Sequence, residues 1–385
     1  MDKCKSGDTM EIKHKTKVRL RVKAYGPIEA GKIEIDRPIT LIYGDSGTGK
    51  SMIVELMHLI IRDSARAQNE EEMKELLEDE LICAYGSPSA VILKGEERAE
   101  VILETPEKSP SLRFTIEDDE VSVEEFSPPT EEYVKATIEE SVIAPDTRIY
   151  IVRKELSLVE DMMKKARFSQ KPKERLEEKS VWRGFRERTF AMKFREILMK
   201  KEGLSYISLA LSPLRILRKE LSIDWYYLKL NNIPLSLVSS SILSLISLSP
   251  IIYAISTRSG LLTSVDMPEL HLTPALTCLV SILLSRLTIR RFIESEREEE
   301  ATPLLTITHS PLVIAAMSLE AKGCFDDLKV GDLEPLKKAE EYFKGYLFSN
   351  GKIIEKSAKE TLQEQDYMKV LVHDLPKRAL KVLRT

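Results

Sequence analysis

A chain of 385 residues exceeds one ordinary hydrophobic core, so either one large domain carrying an insertion or two domains are expected. With 43% hydrophobic and 31% charged residues, the composition excludes a disordered or fibrous protein, and a net charge of -4 leaves no global field to draw the chain onto nucleic acid or an acidic membrane. Cys4, Cys83, Cys278 and Cys324 form no C-x-x-C pair, and residues 1–17 are polar and lysine-rich, which argues against structural zinc, a disulfide framework and a secretory signal. A reduced, cytoplasmic chain is the expectation.

Val18, Leu20 and Val22 alternate as in a strand, Tyr25-Gly26-Pro27 signals a turn, and Ile33 and Ile35 mark a second strand. After Arg37-Pro38, the apolar run Ile39-Thr40-Leu41-Ile42-Tyr43 reads as a buried parallel strand. A glycine-rich loop follows, then a helix from Ser51 to about Ala67 and an acidic stretch, Asn69 to Asp79, read as a solvated helix face. Short alternating segments at 90–93, 99–103 and 112–116 suggest an antiparallel sheet at the domain edge, and 148–152 reads as a further strand.

From Glu155 to about Leu221 the pattern is helical, rich in both signs of charge and broken near Lys171-Pro172. This segment is the candidate inserted arm. It gathers Arg183, Arg186, Arg188, Lys193, Arg195, Lys200 and Lys201 near Trp182 and Phe185, which fits either a solvated helix face or a nucleic-acid contact. The core resumes at 223–228, with Asn231-Asn232 as a hairpin-like turn. Ile233 to Thr257 carries no charge and is long enough to cross a bilayer, yet its eight serines with Pro234 and Pro250 favour a buried element over a membrane span. A strand at 261–265, a helix to about Ile293 and a strand at 304–308 follow, and no chemistry is read in 352–385. Residues 1–154 and 223–385 are thus expected to form one domain interrupted by a helical insertion at 155–222.

Gly44-Asp45-Ser46-Gly47-Thr48-Gly49-Lys50-Ser51 fits G-x-x-x-x-G-K-[ST] at every fixed position, between an apolar strand and a helix as the motif requires. Glycines let successive backbone N–H groups, through Met52, turn toward phosphates, and the positive helix end adds to the attraction. Lys50 is expected to reach the β- and γ-phosphates of ATP and the Ser51 hydroxyl to bind Mg2+. A second acid for the metal belongs at the end of a neighbouring buried strand, and Asp266 meets that description.

Around that acid, Val265-Asp266-Met267-Pro268-Glu269-Leu270-His271-Leu272-Thr273-Pro274 resembles the hydrophobic-D-E-P-E-x-H-L-H-P segment of ABC-type ATPases of the SMC, RecF and OLD-like group, and Thr308-His309-Ser310-Pro311 resembles their T-H-S-P switch. The resemblance covers about 18–66 and 223–313. It implies an α/β P-loop NTPase of the ABC-ATPase head type with an antiparallel β subdomain and an inserted helical arm. By the same resemblance, Asp266 orders Mg2+ and its waters, His309 contacts the γ-phosphate, and Ser240, within Ser239-Ser240-Ser241, meets the γ-phosphate of an opposite subunit in an ATP-sandwiched homo- or heterodimer.

This sequence departs from the group's pattern in three places. Met267 stands where a water-activating glutamate is usual, and a thioether cannot accept a proton. Glu269 is the nearest carboxylate, as a substitute base or as a helix-start residue. Ser241 replaces the signature glycine, and no glutamine stands near 150–158, where a metal- and arm-sensing residue is common.

Two functions follow. One is an ATP-driven dimerisation switch that moves its arm against DNA or a partner protein, in DNA maintenance or defence. The other is a weakly hydrolysing or inactive ATP-binding subunit partnered with an active homologue. A transporter ATPase is disfavoured by the missing L-S-G-G-Q signature, and an OLD-type nuclease by the few residues after Val313.

Overall fold

Around one mixed sheet, the computed structural model describes residues 18–105, 111–127, 130–131, 142–166, 185–200, 202–214, 221–224, 227–230, 233–257, 262–294, 301–325, 328, 330, 333 and 340–363. In chain order the first elements are β1 (Val18–Tyr25), β2 (Ile28–Ile35), β3 (Ile39–Gly44), α1 (Lys50–Ser64), α2 (Glu70–Tyr85), β4 (Arg98–Glu104), β5 (Ser111–Glu117), β6 (Glu120–Phe126) and β7 (Val142–Ala144). There follow α3 (Arg148–Ala166), α4 (Phe185–Met199), α5 (Gly203–Leu211), the small strands β8 (Leu221–Asp224), β9 (Tyr227–Leu230) and β10 (Ile233–Pro234), then α6 (Ser240–Ile246) and α7 (Ser249–Thr257). The last are β11 (Thr263–Asp266), α8 (Pro274–Glu294), β12 (Leu304–Thr308), α9 (Pro311–Ala321), β13 (Phe343–Ser349), β14 (Lys352–Lys356) and α10 (Ala358–Gln363).

Eleven strands form the main sheet in the order β6-β5-β4-β1-β2-β14-β13-β3-β12-β11-β7. Its first half, β6 to β2, is antiparallel throughout, whereas β13, β3, β12, β11 and β7 run parallel. The antiparallel strands alternate as half-covered strands do: Val18, Leu20 and Val22 are buried between more exposed Arg19 and Arg21. The parallel strands are covered on both faces. On β3, Ile39, Leu41 and Tyr43 pack among the helices α3 to α9, while Ile42 faces the opposite core under α1 and α2. Truncating such a side chain costs about 2–5 kcal/mol, which fixes the register that delivers the strand ends to the site.

In the first helical pair, Asn69 caps α2 by accepting from Glu72 N–H, and Met73, Leu77 and Leu81 bury one face while the acidic residues stay outside, as the acidic run suggested. Within 155–222, α4 buries Phe190 and Phe194 at helical spacing in the main core and Ile197 beyond them, and α5 buries Ile207, Ala210 and Leu211. Trp182 and Arg183 lie outside the described residues, as do Asn231 and Asn232. Stretch Ser240–Thr257 is apolar enough by composition to cross a membrane, but 67% of it is buried inside the protein, as two helices broken before Pro250.

Three local expectations give way. Arg148 to Val152 is the first turn of helix α3, not a strand: Ile149, Val152 and Leu156 are buried at helical spacing while Tyr150 is exposed, and the strand lies just upstream as β7. Residues 90–93 are not a strand but the end of a 3-10 turn, Pro88–Val91, with Ile92 bridging to Tyr25. Finally, the core does not resume in the main sheet at 223–228; β8, β9 and β10 form their own three-stranded sheet.

Candidate functional site

Strand β3 ends on Gly44, whose φ of 137° suits glycine alone; a Cβ there would sit 2.2 Å from the Phe348 carbonyl oxygen of neighbouring β13. At the other end of the loop Gly49, with φ 89°, precedes α1, and a Cβ would meet Pro27 at 2.8 Å. The loop therefore closes tightly between two elements and leaves its amides around a hollow at the N-terminus of α1. Lys50 is buried across it, its ammonium donating to the carbonyls of Gly44 (2.8 Å) and Asp45 and to Thr48 Oγ1 (3.3 Å). Burial holds its pKa below the usual lysine value, against the pull of Asp266 and Asp45.

A cleft of 290 Å3 opens at this point, lined by Pro27, Ser46, Gly47, Gly49, Lys50, Ser51, Met52, Asp266, Met267, Ile307, Thr308 and His309. Parallel pairing accounts for the convergence: β11 and β12 run beside β3 in the same direction, so Asp266 and Thr308 end at the same sheet edge as Gly44. Residues separated by more than two hundred positions thus share one hollow.

Asp266 is buried, and desolvation raises its pKa; the Ser51 hydroxyl and Arg186 oppose that rise, Asp146 adds to it and Arg148 opposes it. Its Oδ1 is buried without a hydrogen bond of good geometry. A buried carboxylate oxygen of this kind beside a hydroxyl suits a hard divalent cation that keeps several waters and takes one or two protein oxygens plus phosphate, as Mg2+ does. Among the described residues no group of three or more His, Cys, Asp or Glu side chains could hold a metal by itself.

Behind Asp266 the chain turns sharply. Met267 adopts φ 47°, donates its N–H to the Ile307 carbonyl and shows its half-buried side chain to the cleft. This conformation is held by Arg148, which is fully buried and donates to the carbonyls of Asp266 (2.6 Å), Met267 (2.8 Å) and Pro145 (3.3 Å). Burial lowers the Arg148 pKa to about 10, against Glu269, Asp266 and Asp146, and the group stays charged.

Glu269 is not among the cleft-lining residues. Its Oε1 accepts from the Thr308 hydroxyl at 2.7 Å, and that hydroxyl accepts in turn from Ser310 N–H at 2.9 Å, so the carboxylate ties the turn after β11 to the end of β12. Nor does it start a helix, since α8 begins at Pro274. Burial raises its pKa, opposed by Thr308, its own backbone, Arg148 and His309. His309 is exposed at the rim.

Ser239 caps α6, its side chain accepting from Ile242 N–H, and Ser240 lies half-buried in the first turn. Neither Ser239 nor Ser240 lines this chain's own cleft. The Ser241 hydroxyl donates to the His271 carbonyl (2.8 Å) and Ser244 to that of Leu270 (2.6 Å), fastening α6 to the turn that follows Asp266.

Of the basic stretch, Arg186 pairs with Glu55 and Asp266, Arg188 with Glu80, Lys193 with Glu196, Arg195 with Glu155, and Lys200 with Glu196. Arg183 and Lys201 lie outside the described residues. The described members of the stretch are therefore spent within the protein, not displayed as a free basic face. Sequence reasoning missed Arg148 and the approach of Arg186 to Asp266; each spans a long separation, and no local pattern signals either.

Residues 19–224, more than half of the chain, match the family model AAA domain (AAA_23). Among solved structures the chain is similar to the Smc head bound to the C-terminal winged-helix domain of ScpA, with 14% identity and a TM-score of 0.48 over 89% of this chain and 98% of that one. It is also similar to the SMC head domain from Thermotoga maritima (13%, TM-score 0.41, covering 88% and 97%) and to the recombination mediator RecF (12%, TM-score 0.37, covering 89% and 100%). No curated protein matches. The chain belongs to the AAA domain family, as a nucleotide-binding ATPase with a P-loop NTPase fold.

Proposed function

We propose that this chain binds ATP with Mg2+ in the cleft between residues 44–52 and the ends of β11 and β12, and that the bound nucleotide joins two heads as a slow dimerisation switch. The observation that carries this reading is the meeting of Lys50, Ser51, Asp266, Met267 and His309 in one hollow at the start of α1. The amides of 46–52 bind phosphate oxygens, and Lys50 exchanges its loop carbonyls for the β- and γ-phosphates. Ser51 and Asp266 hold the metal, which when bound neutralises phosphate charge. His309, at the rim, donates to the γ-phosphate, and Ser240 on α6 serves the nucleotide of the opposite head.

Met267 supports slow turnover. It occupies the cleft position next to Asp266 and offers no proton acceptor, while Glu269 is turned to Thr308. The same residue favours the second reading, a weak subunit completed by an active homologue. A DNA contact through the basic stretch has less behind it, because its described charges are paired internally. Calorimetry in Mg2+ buffer is expected to show ATP uptake that Lys50→Ala abolishes. Met267→Glu is expected to raise turnover by about 10²-fold or more, the scale of a general base. Turnover of about one per second or faster by the native chain alone would overturn the slow-switch reading. Sedimentation with and without ATP tests the dimer, and a monomer under both conditions removes the homodimer.

A further inference from the structure

One cation sits beside the proposed metal ligand. Arg186, in the first turn of α4, places Nη1 3.5 Å from Asp266 Oδ2 and Nε 3.4 Å from Glu55 Oε1 on α1. Both distances exceed the 2.7–2.9 Å of a charge-assisted hydrogen bond. Nε is buried without a hydrogen bond of good geometry, so the guanidinium is held between carboxylates by charge rather than by a fitted fork. Burial lowers its pKa, but Glu55, Asp266, Glu187 and Asp146 more than offset this and raise it above the usual arginine value. Two carboxylates that repel each other, Asp266 at the cleft and Glu55 behind it, are thereby compensated without metal.

A divalent ion held by Ser51 and the free Oδ1 of Asp266 would bring two positive charges to the carboxylate whose Oδ2 Arg186 approaches. Arg186 and such an ion would repel each other across that one carboxylate. We infer that Arg186 is the resident countercation of Asp266, which arriving Mg2+ displaces, so that metal binding loosens the first turn of α4 and carries the nucleotide state into the helical segment. This inference rests on the proposed Mg2+-ATP site. It gives that segment a route to the metal although no glutamine occurs in 150–158. The contact is also easily surrendered: Arg186 gives up two long ion pairs, and Glu55 keeps the Tyr85 hydroxyl at 3.3 Å.

The test is a titration of free Mg2+ at fixed concentrations of the full-length chain and a fluorescent ATP analogue. Arg186→Gln is expected to lower the half-saturating Mg2+ concentration at least about tenfold, a floor that one unit charge removed at several ångströms in a medium of effective dielectric about 20 exceeds. Arg186→Lys keeps the charge and is expected to stay near the native value. Because Arg186→Gln leaves Glu55 exposed to misfolding, the Glu55→Gln/Arg186→Gln pair is measured beside it and should also fall below the native midpoint. Hydrogen exchange supplies a second readout: Mg2+-ATP raises exchange in 185–188 of the native chain and not in Arg186→Gln. An unchanged or higher Mg2+ midpoint in both glutamine variants overturns the displacement. If the native chain takes up no ATP in Mg2+, or Lys50→Ala binds as well as native, the nucleotide site itself fails and takes this inference with it; native uptake with an unmoved midpoint sinks only the role of Arg186.

Discussion

The first turns of α3 and α4 both send an arginine to the end of β11, and they hold it in different ways. Arg148, buried away from water, donates its guanidinium to three backbone carbonyls, those of Pro145, Asp266 and Met267. Arg186 satisfies charge at a partly open edge, at distances where alignment contributes little. Backbone groups buried with a fitted partner are costly to strand, whereas a long ion pair can be exchanged for another cation. The difference separates the part of the site that must stay fixed, the turn at Met267, from the part that can respond to a ligand.

The largest effect is therefore expected at Arg148. Replacing it by methionine removes charge-assisted bonds to the carbonyls of Asp266 and Met267, the latter keeping only Leu270 N–H, and loosens a residue held at φ 47°, for a loss of about 3–5 kcal/mol in denaturant unfolding. Arg148→Lys should recover only part of this, because an ammonium cannot serve diverging carbonyls as a planar fork does. A loss below about 1 kcal/mol would show that the turn is held by something other than Arg148.

Next comes the bond that closes the same turn from its other side. Thr308→Val removes the donor to Glu269 Oε1 and the acceptor for Ser310 N–H, and an expected loss of about 1–3 kcal/mol follows from the stranded groups. Glu269→Gln retains an acceptor for Thr308 and should leave turnover unchanged, since Glu269 does not line the cleft. A fall of about 10²-fold in turnover with intact stability would instead identify Glu269 as the base.

These contrasts bear on what the sequence could disclose. Strands β3 and β12 were legible because parallel strands buried on both faces read as continuous apolar runs, and the phosphate loop because each glycine answers a local demand, visible in the contacts that Gly44 and Gly49 avoid. Asp266 stood out as an acid ending a buried strand, and His309 only through the resemblance of Thr308-His309-Ser310-Pro311 to a family switch. The first turn of α3 was misread because Ile-Tyr-Ile-Val is rich in β-formers; what makes it a helix is burial of Ile149, Val152 and Leu156 together, a property of the finished core. The β13–β14 hairpin carried a readable signal in Asn350-Gly351, both at positive φ, but nothing local says that it inserts between β2 and β3. Arg148 and Arg186 reach Asp266 from 118 and 80 residues away, so their roles belong to topology.

Along α4, the loose contact at Arg186 is followed by a second anchor, in which Arg188 meets Glu80, Glu80 meets Arg62, and Arg62 meets the buried Asp63. Burial raises the Asp63 pKa from 3.8 to about 6, against the pull of Arg62. The folded state therefore keeps a proton that the unfolded chain has already released. That contribution to stability is complete below pH 3.8 and is lost as pH rises through about 6. Asp63→Asn abolishes the dependence: between pH 4 and 6 the native chain should fall relative to the variant by up to about 3 kcal/mol, measured by urea midpoints at each pH. A difference that grows in the opposite direction would mean that the Arg62 pair, not burial, governs this carboxyl.

The smallest effect is expected at Arg188 itself. Its side chain is 38% exposed, and the Glu80 carboxylate it approaches at 3.3 Å already has Arg62 at 2.5 Å. Arg188→Ala thus leaves no charge unpaired in the interior, and a change within about 1 kcal/mol that vanishes at high salt is expected. A salt-insensitive loss as large as that of Arg148→Met would mean that α4 is fastened at its second anchor as rigidly as the turn after β11. In that case the release of Arg186 could not move the helix: metal at Asp266 would change the charge beside α4 while Arg188 held its first turns in place, and any transmission to the helical segment would have to pass through Arg148 and α3.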